Sequence, residues 1–229
     1  MRIIGAFLVV VFVLCIPLFL LTSNLRCAAS SRGLYQYGFS TYNVARSTGI
    51  SYEELGVVAR EMIHYFNSGQ EPLEPSVTNP EGGPLFSQKE IDHLREVKEL
   101  IGLCGRVQMG TLVYIVAFIL GGFIWRRRRF ASLLAKSMIA GAATTVVVVV
   151  GIGAAGFVGF DWLFLQFHYL MFSSDTWRLN PATDYLIRMF PAGFFRDAGL
   201  FVGGACIVEA LVVGGIGGVF LTRRRRAES

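Results

Sequence analysis

Residues 109–130 read MGTLVYIVAFILGGFIWRRRRF, an apolar run that ends in four consecutive arginines. The apolar part is close to the ~20 residues that a helix needs to cross ~30 Å of hydrocarbon. Arginine and lysine concentrate in short cytoplasmic loops, so the arginine block predicts which side of a membrane this end faces. The stretch therefore predicts a helical membrane protein.

The composition of the chain agrees with this prediction. Of 229 residues, 53% are hydrophobic and only 16% are charged, whereas about 25% is usual in soluble domains. The net charge of +5 could suggest binding to nucleic acid. However, eight of the 21 basic residues form two blocks, at 126–129 and 223–226, and each block directly follows an apolar run. This placement is typical of membrane orientation signals, and no nucleic-acid partner is expected.

Three further apolar runs resemble the first, and together the four predict an all-α membrane protein with a mostly helical extracellular cap. The first run is too long for the 7–15-residue core of a signal peptide, and no convincing cleavage site follows it. We therefore expect an uncleaved span there. The predicted transmembrane helices cover residues 1–22, 108–125, 131–159 and 199–222.

The arginine blocks set the predicted orientation in the lipid bilayer. A cytoplasmic turn at 126–130 and a cytoplasmic tail at 223–229 place both termini inside the cell. The cap at 23–107 and the second outer segment at 160–198 then lie outside the cell membrane. The cap carries 8 basic and 10 acidic residues, and the second outer segment carries 3 basic and 4 acidic residues. Neither segment therefore has the positive excess of a cytoplasmic loop.

Local patterns predict helices within the cap. Residues 23–49 lack a clear helical period and are expected to be extended or irregular, with alternation that allows a short strand at 34–39. Ser51 and Glu54 have the spacing of a capping box, which predicts a helix from there to about residues 67–69. Ser87 and Glu90 repeat that spacing and predict a helix leading into the second span.

The second outer segment predicts a helix that continues from the third span. One helical face of it collects Asp161, Phe164, Leu165, His168 and Phe172. Residues 173–175, Ser-Ser-Asp, are expected to break this helix. The pair Asn180–Pro181 is a typical helix start, and Pro191 should end that second helix.

The chain has three histidines, and two of them are candidates for chemistry. His64 has no distinguishing context, and a half-buried polar residue is its simplest interpretation. His93 and His168 both lie on apolar faces of helices that adjoin a span, so the two could meet at one interface. Because the unperturbed pKa of histidine is about 6.5, such a pair suits proton transfer near neutral pH, although structural histidines are the commoner case.

Other chemistries have weaker support in the sequence. No H-x-x-x-H or C-x-x-C pattern occurs, so no metal site is expected. Phosphate-binding loops and serine nucleophile elbows are absent from the sequence as well. Cys27 and Cys104 could form a disulfide or remain free. Glu209 lies within the fourth span, where a carboxylate is either functional or a hydrogen-bonded packing residue.

Two motifs carry a resemblance to a known family. The stretches LFSQKEIDHLREVKELIGL (85–103) and FDWLFLQFHYLMFSSDTW followed by NPATDYLIRMFPAGFF (160–177 and 180–195) resemble the signatures of the bacterial lipoprotein intramolecular transacylase (Lit) family. The layout of four spans and two outer segments is similar too, so the resemblance covers most of the chain. It implies that His93 in EIDHL and His168 in QFHYL are the catalytic residues.

The resemblance also implies a reaction. An acyl chain would move from the sn-2 position of a diacylglyceryl-cysteine lipoprotein to the α-amino group of the same cysteine. An ester then becomes an amide, which is downhill, so no cofactor is expected. An aromatic pocket would fold the substrate and exclude water, and its candidate residues are Trp162, Phe164, Phe167, Tyr169, Phe172 and Trp177.

Two alternatives remain open at the level of sequence. The same aromatic cluster could let a non-enzymatic four-span protein dock a partner on its extracellular cap. A different surface acyltransferase or a lipid hydrolase is a further possibility.

Overall fold

The computed structural model of the chain describes residues 2–126 and 128–228. Within these ranges the structure contains eight helices and no β-strand, apart from an isolated bridge between Thr78 and Pro84. The helices are α1 (Arg2–Ala29), α2 (Arg32–Thr41), α3 (Val44–Thr48), α4 (Tyr52–Asn67), α5 (Gln88–Arg126), α6 (Arg128–Met171), α7 (Tyr185–Met189) and α8 (Ala192–Glu228). The predicted all-α class is confirmed.

Four of these helices are long and apolar enough to cross a membrane. By length and composition the candidates are Ile3–Ala29, Gln88–Trp125, Phe130–Met171 and Ala192–Arg224. Each is longer than the ~20 residues needed to cross the hydrocarbon core, so part of each helix can extend beyond the membrane. The predicted turn at 126–130 and tail at 223–229 fall partly on Arg127 and Ser229, which lie outside the described residues.

Both predicted capping boxes are present. The Ser51 hydroxyl accepts the Glu54 N–H, and the Glu54 carboxylate accepts the Ser51 N–H at 3.0 Å, which starts α4. Ser87 and Glu90 make the same exchange at the start of α5, with the Ser87 N–H 2.7 Å from Glu90 Oε2. The helix α5 then runs without interruption toward its apolar half, as the sequence predicts.

The prediction of extended or irregular structure at 23–49 is wrong. Helix α1 continues to Ala29, and α2 and α3 fill most of the remainder. Tyr35, Gly38 and Phe39 are the buried residues of α2, whereas Tyr37 is exposed. The aromatic residues at 35, 37 and 39 suggest alternation, but the buried set has helical spacing.

The predicted helix from Asn180 to Pro191 is also wrong in its first half. Asn180 heads a turn instead, in which its carbonyl accepts the Asp184 N–H at 2.8 Å and its side chain accepts the Ala182 N–H at 3.0 Å. Helix α7 begins only at Tyr185. As predicted, Pro191 interrupts the helical structure, and the helix α6 ends at Met171, just before the predicted break at 173–175.

The chain divides into two compact units. The first unit comprises residues 1–25, 104–154 and 201–229, and the second comprises 26–103 and 155–200. In the first unit α6 and α8 approach closely, because a Cβ atom on Gly217 would lie 2.7 Å from the Ala135 carbonyl oxygen. Here too Glu209 is hydrogen-bonded, with Asn24 Nδ2 donating to its Oε2 at 2.7 Å.

The second unit has its own hydrophobic core. It is formed mainly by α2, α4 and the segment around α7, and its most buried members include Tyr65, Leu55 and Met189. Within this unit the Cys27 thiol forms no disulfide. All of the histidines and aromatic residues singled out in the sequence lie in this unit.

Candidate active site

Helix α5 places His93 in the second unit. Its N-terminus is anchored by Glu90, which is 1% exposed and whose Oε1 accepts the Leu186 N–H at 2.7 Å. His93 follows one turn later, next to the buried Leu94, and only 8% of it is exposed. The capping box and the hydrogen bond from Leu186 to Glu90 thus fix the position of the helix that carries His93.

Helix α6 places His168 near its C-terminal end. The imidazole Nδ1 lies 2.7 Å from the Phe164 carbonyl oxygen, one turn earlier. Since a carbonyl can only accept, the imidazole must donate through Nδ1–H. In the neutral ring the lone pair of His168 is therefore on Nε2.

The structure brings the two histidines together. Their ring centroids are 6.2 Å apart, and the ring planes differ by 29°. Phe172 contacts both, at 5.0 Å from His93 and 5.4 Å from His168. His168 is also 8% exposed, so both imidazoles are withdrawn from solvent.

Most of the predicted aromatic residues surround this pair. Phe164, Phe167 and Trp177 have ring centroids 4.4, 5.5 and 5.1 Å from that of His168. Together with Phe172 they leave the imidazoles in a largely apolar setting. We call His93, His168 and these four rings the histidine cluster.

Two predicted aromatic residues lie outside the histidine cluster. Tyr169 packs against Trp177 at 5.2 Å and is 54% exposed. Trp162 is 64% exposed and makes no ring contact with any described residue. His64 lies on α4 and is also exposed. The structure therefore separates these three from the two buried histidines.

His93 has an unusual electrostatic environment. It lies in the charged N-terminal part of α5, ahead of the segment that the sequence places in the membrane. Its Nδ1 atom is buried and has no hydrogen-bond partner among the described residues. Burial, assisted by the proximity of His168, lowers the pKa of His93 to about 4, although the Glu96 carboxylate opposes this shift. His93 is therefore a neutral imidazole at physiological pH.

Glu96 and Thr176 belong to the same site, although the sequence did not single them out. Glu96 Oε2 lies 3.9 Å from His93 Nδ1 and accepts the Thr176 hydroxyl at 2.7 Å. The signal available in the sequence was the position of Glu96 one turn after His93 on the same helix. Charged residues on a helix are usually solvated, which is why that signal is weak.

The arrangement suits proton transfer in a site that excludes water. Two neutral imidazoles offer lone pairs, a carboxylate lies beside one of them, and aromatic rings close around the other. The described part of the chain contains no group of three histidine, cysteine or carboxylate side chains that could hold a metal ion.

Comparison with known proteins identifies the family of this chain. The family model described as "Lipoprotein intramolecular transacylase Lit" matches residues 10–195. The chain belongs to the lipoprotein intramolecular transacylase (Lit) family. Membership confirms the resemblance seen in the two motifs and makes the protein an acyltransferase of the transacylase type. The non-enzymatic alternative is not favoured.

Solved structures show the same fold. The membrane-integral Lit from Bacillus cereus superposes with a TM-score of 0.85 at 16% identity, and the match covers 99% of this chain and 100% of that one. Variants of that protein with a histidine-to-arginine or a histidine-to-alanine mutation give TM-scores of 0.79. Both variants are 16% identical to this chain. The match to the arginine variant covers 98% of this chain and 95% of that one. The match to the alanine variant covers 97% of this chain and 96% of that one. A search of curated proteins found no match. Membership of the Lit family and the four apolar helices make the chain a multi-pass membrane protein.

Proposed function

We propose that this Lit-family protein moves the sn-2 acyl chain of a diacylglyceryl-cysteine lipoprotein to the α-amino group of the same cysteine, with His93 and His168 as catalytic residues. The observation that carries the proposal is the buried pair of imidazoles, 6.2 Å apart inside an aromatic shell. Such a pair meets the requirement of aminolysis for a proton acceptor and a proton donor close to one carbon atom.

The reaction balances without any cofactor. The amine nitrogen attacks the ester carbonyl, forming the C–N bond and a tetrahedral oxyanion. The C–O bond to the glyceryl oxygen then breaks. The proton that leaves the nitrogen replaces the lost bond on that oxygen, so the products are an amide and a free hydroxyl. Donor and acceptor belong to one molecule, and holding them together supplies a large part of the rate.

His168 is the proton shuttle in this proposal. Its Nδ1–H is engaged by the Phe164 carbonyl at 2.7 Å, which leaves the Nε2 lone pair free to take the amine proton. The same hydrogen bond stabilises the imidazolium formed. The imidazolium then returns the proton to the departing glyceryl oxygen, and its charge stabilises the adjacent oxyanion.

His93 orients the amine. In the proposed Nε2–H tautomer of its neutral ring, the buried Nδ1 has no partner in the described protein and can accept a substrate N–H. Because the pKa of His93 is about 4, the ring stays neutral and keeps that lone pair available. The two histidines therefore have different tasks, one for the proton and one for the nucleophile.

The aromatic rings select transfer over hydrolysis. Water would compete with the amine for the same ester, and Phe164, Phe167, Phe172 and Trp177 leave little room for it around His168. Trp162 and Tyr169 are exposed and remain candidates for contact with the acyl chains. The site works at the outer face of the cell membrane, with both termini in the cytoplasm, as the two arginine blocks favour.

A crossover experiment tests the proposed function. The purified protein in lipid vesicles is given two diacylated lipopeptides, one with heavy acyl chains and a heavy peptide and one unlabelled. Acyl transfer does not change the mass, so tandem mass spectrometry must locate the chain on nitrogen or oxygen. We expect N-acyl products in which heavy chains stay with heavy peptides. Mixed products, free fatty acid or an unchanged diacyl form would each overturn the proposal.

A further inference from the structure

With His93 in the proposed Nε2–H tautomer, three groups of the site, on His93, His168 and Glu96, are hydrogen-bond acceptors. His93 Nδ1 is buried and has no hydrogen-bond partner among the described residues, and 8% of the residue is exposed. His168 uses its Nδ1–H on the Phe164 carbonyl, so only the acceptor Nε2 remains for a ligand. Glu96 adds a carboxylate 3.9 Å from His93 Nδ1. A ligand that fits these three groups must bring donors.

Among the described residues, Glu96 also has no ion pair with a lysine or an arginine. Its described polar contacts are the Thr176 hydroxyl, 2.7 Å from Oε2, and His93. His93 is neutral at physiological pH and does not balance the charge. The Glu96 side chain is 24% exposed, so it is half-buried but still open to an approaching group. A carboxylate held in this way, without a counter-ion among the described residues and beside a proposed catalytic ring, is a candidate binding group.

The neighbouring cations of the second unit are engaged elsewhere. Arg95 pairs with Asp92 at 3.4 Å, and Arg178 pairs with Asp175 at 3.1 Å. Lys89 donates to the Arg178 carbonyl at 2.5 Å. None of the three is within ion-pair distance of Glu96 in the described structure, which leaves the Glu96 carboxylate available to a cation brought by the ligand.

We propose that Glu96, together with His93 Nδ1, is the subsite that recognises a primary ammonium group, namely the free α-amino terminus of the lipoprotein. The inference rests on the proposed function and deepens it. An α-amino group has a pKa of about 7.7–8.0, so it enters mostly as –NH3⁺ and must release one proton to solvent before the amine nitrogen attacks the ester. Its three donors match the unpaired His93 acceptor and the Glu96 carboxylate. Thr176 holds that carboxylate in place through its hydroxyl.

Recognition of the ammonium makes Glu96 a specificity-determining residue. A phospholipid without an amine, or a cysteine that is already N-acylated, leaves the carboxylate and the buried lone pair unsatisfied. Both ligands should bind more weakly for that reason. The subsite therefore admits lipoproteins that still have an amine to acylate.

The test measures this discrimination directly. Two dialkyl-ether lipopeptides serve as probes, one with a free N-terminal amine and one N-acetylated, since ether-linked chains cannot be transferred. Each probe is measured as an inhibitor of acyl transfer in vesicles. For the unaltered protein we expect the amine probe to bind about tenfold more tightly than the acetylated probe, as for a charge-assisted hydrogen bond.

The variant Glu96→Gln removes the charge but can still accept the Thr176 hydroxyl. We expect the ratio of the two inhibition constants to fall to about one and the KM of the diacyl substrate to rise about tenfold. Glu96→Asp, which keeps the carboxylate, should recover part of the discrimination. Glu99→Gln is the matched control, because Glu99 is an exposed carboxylate three residues further along α5.

The outcomes separate this inference from the proposed function. If the unaltered protein transfers the acyl chain but Glu96→Gln keeps the full preference for the amine probe, the ammonium subsite is wrong and the proposed function stands. An unaltered protein that binds both probes equally also overturns it. A purely structural role for Glu96 would weaken both probes by the same factor and leave their ratio unchanged.

Discussion

The imidazole of His93 is buried, yet one of its nitrogens is left without a partner. Buried polar atoms normally find a hydrogen bond, and leaving one unsatisfied costs about 1–3 kcal/mol. The cost is consistent with a site that is completed only when substrate binds. The same burial keeps the ring neutral, because a charged imidazole would be poorly solvated there.

The protonation state of the His93 imidazole can be measured by titration. In protein labelled with 13C-histidine, we expect the His93 ring resonance to remain that of the neutral form down to about pH 5 and to change near pH 4, because burial lowers its pKa. The variants His64→Gln and His168→Asn assign the three resonances. A His93 midpoint near the unperturbed value of about 6.5 would contradict the burial that the structure shows.

Trp177 protects His168 from water in the proposed mechanism. We expect Trp177→Ala to reduce acyl transfer by roughly 10- to 100-fold and to raise the share of free fatty acid, since the ring 5.1 Å from His168 is lost. Trp177→Phe should keep most of the selectivity for transfer. The readout is the ratio of N-acyl product to free fatty acid. An unchanged ratio in Trp177→Ala would show that this ring does not exclude water.

Sequence reasoning reached some of these residues and missed others for physical reasons. His93 and His168 could be predicted because histidines on apolar helix faces are uncommon, and two motifs supported them. Glu96 and Thr176 could not, because a glutamate on a charged helix is ordinary. Their significance depends on contacts between residues 80 apart in the chain.

The start of α5 is the element that holds the site together. Glu90 accepts one backbone N–H of its own helix, from Ser87, and one from Leu186 at the start of α7. A carboxylate that is 1% exposed and accepts two N–H groups joins these two elements. Its loss would leave both donors without a partner inside the second unit.

Removing this link should destabilise the second unit. We expect Glu90→Ala to lower the free energy of unfolding by about 2 kcal/mol, because the buried Leu186 N–H and the Ser87 N–H at the helix start both lose their acceptor. Denaturant titration followed by tryptophan fluorescence measures the change, in a background with Trp125→Phe and Trp162→Phe so that only Trp177 reports. Glu99→Ala, on the exposed side of the same helix, should have little effect. Equal stabilities of the two variants would mean that the Glu90 contacts contribute nothing.

Helices with strong local signals were predicted well, and helices without them were not. The capping boxes at Ser51 and Ser87 set the starts of α4 and α5, because side chain and backbone a few residues apart decide them. Helix α2 was missed because its aromatic residues at 35, 37 and 39 suggest alternation. Burial of Tyr35, Gly38 and Phe39 against the rest of the core determines that segment instead.

At the scale of the whole molecule, hydrophobicity and charge decide the architecture. Four helices long enough to cross a membrane could be predicted from composition alone, and they are present. The orientation in the membrane is a separate prediction. It rests on the arginine blocks at 126–129 and 223–226, because arginine and lysine concentrate in short cytoplasmic loops.

Cysteine labelling in intact cells tests the predicted orientation. In a variant that keeps only Cys27, we expect a membrane-impermeant maleimide to label the protein, since Cys27 is exposed and follows the span predicted at residues 1–22. A cysteine appended after the last residue should react only once the membrane is permeabilised. The opposite pattern would reverse the orientation and place the histidine cluster on the cytoplasmic side.

The most direct test of the central claim is the acyl shift itself, measured for each histidine separately. Unaltered protein, His93→Ala, His168→Ala and the exposed control His64→Ala are each incubated with a diacylated lipopeptide in vesicles. Tandem mass spectrometry follows the N-acyl product over time. We predict a 10²- to 10⁴-fold loss of rate for His93→Ala and for His168→Ala, with His64→Ala unaffected. Undiminished transfer by either of the first two variants would contradict the proposed two-histidine site.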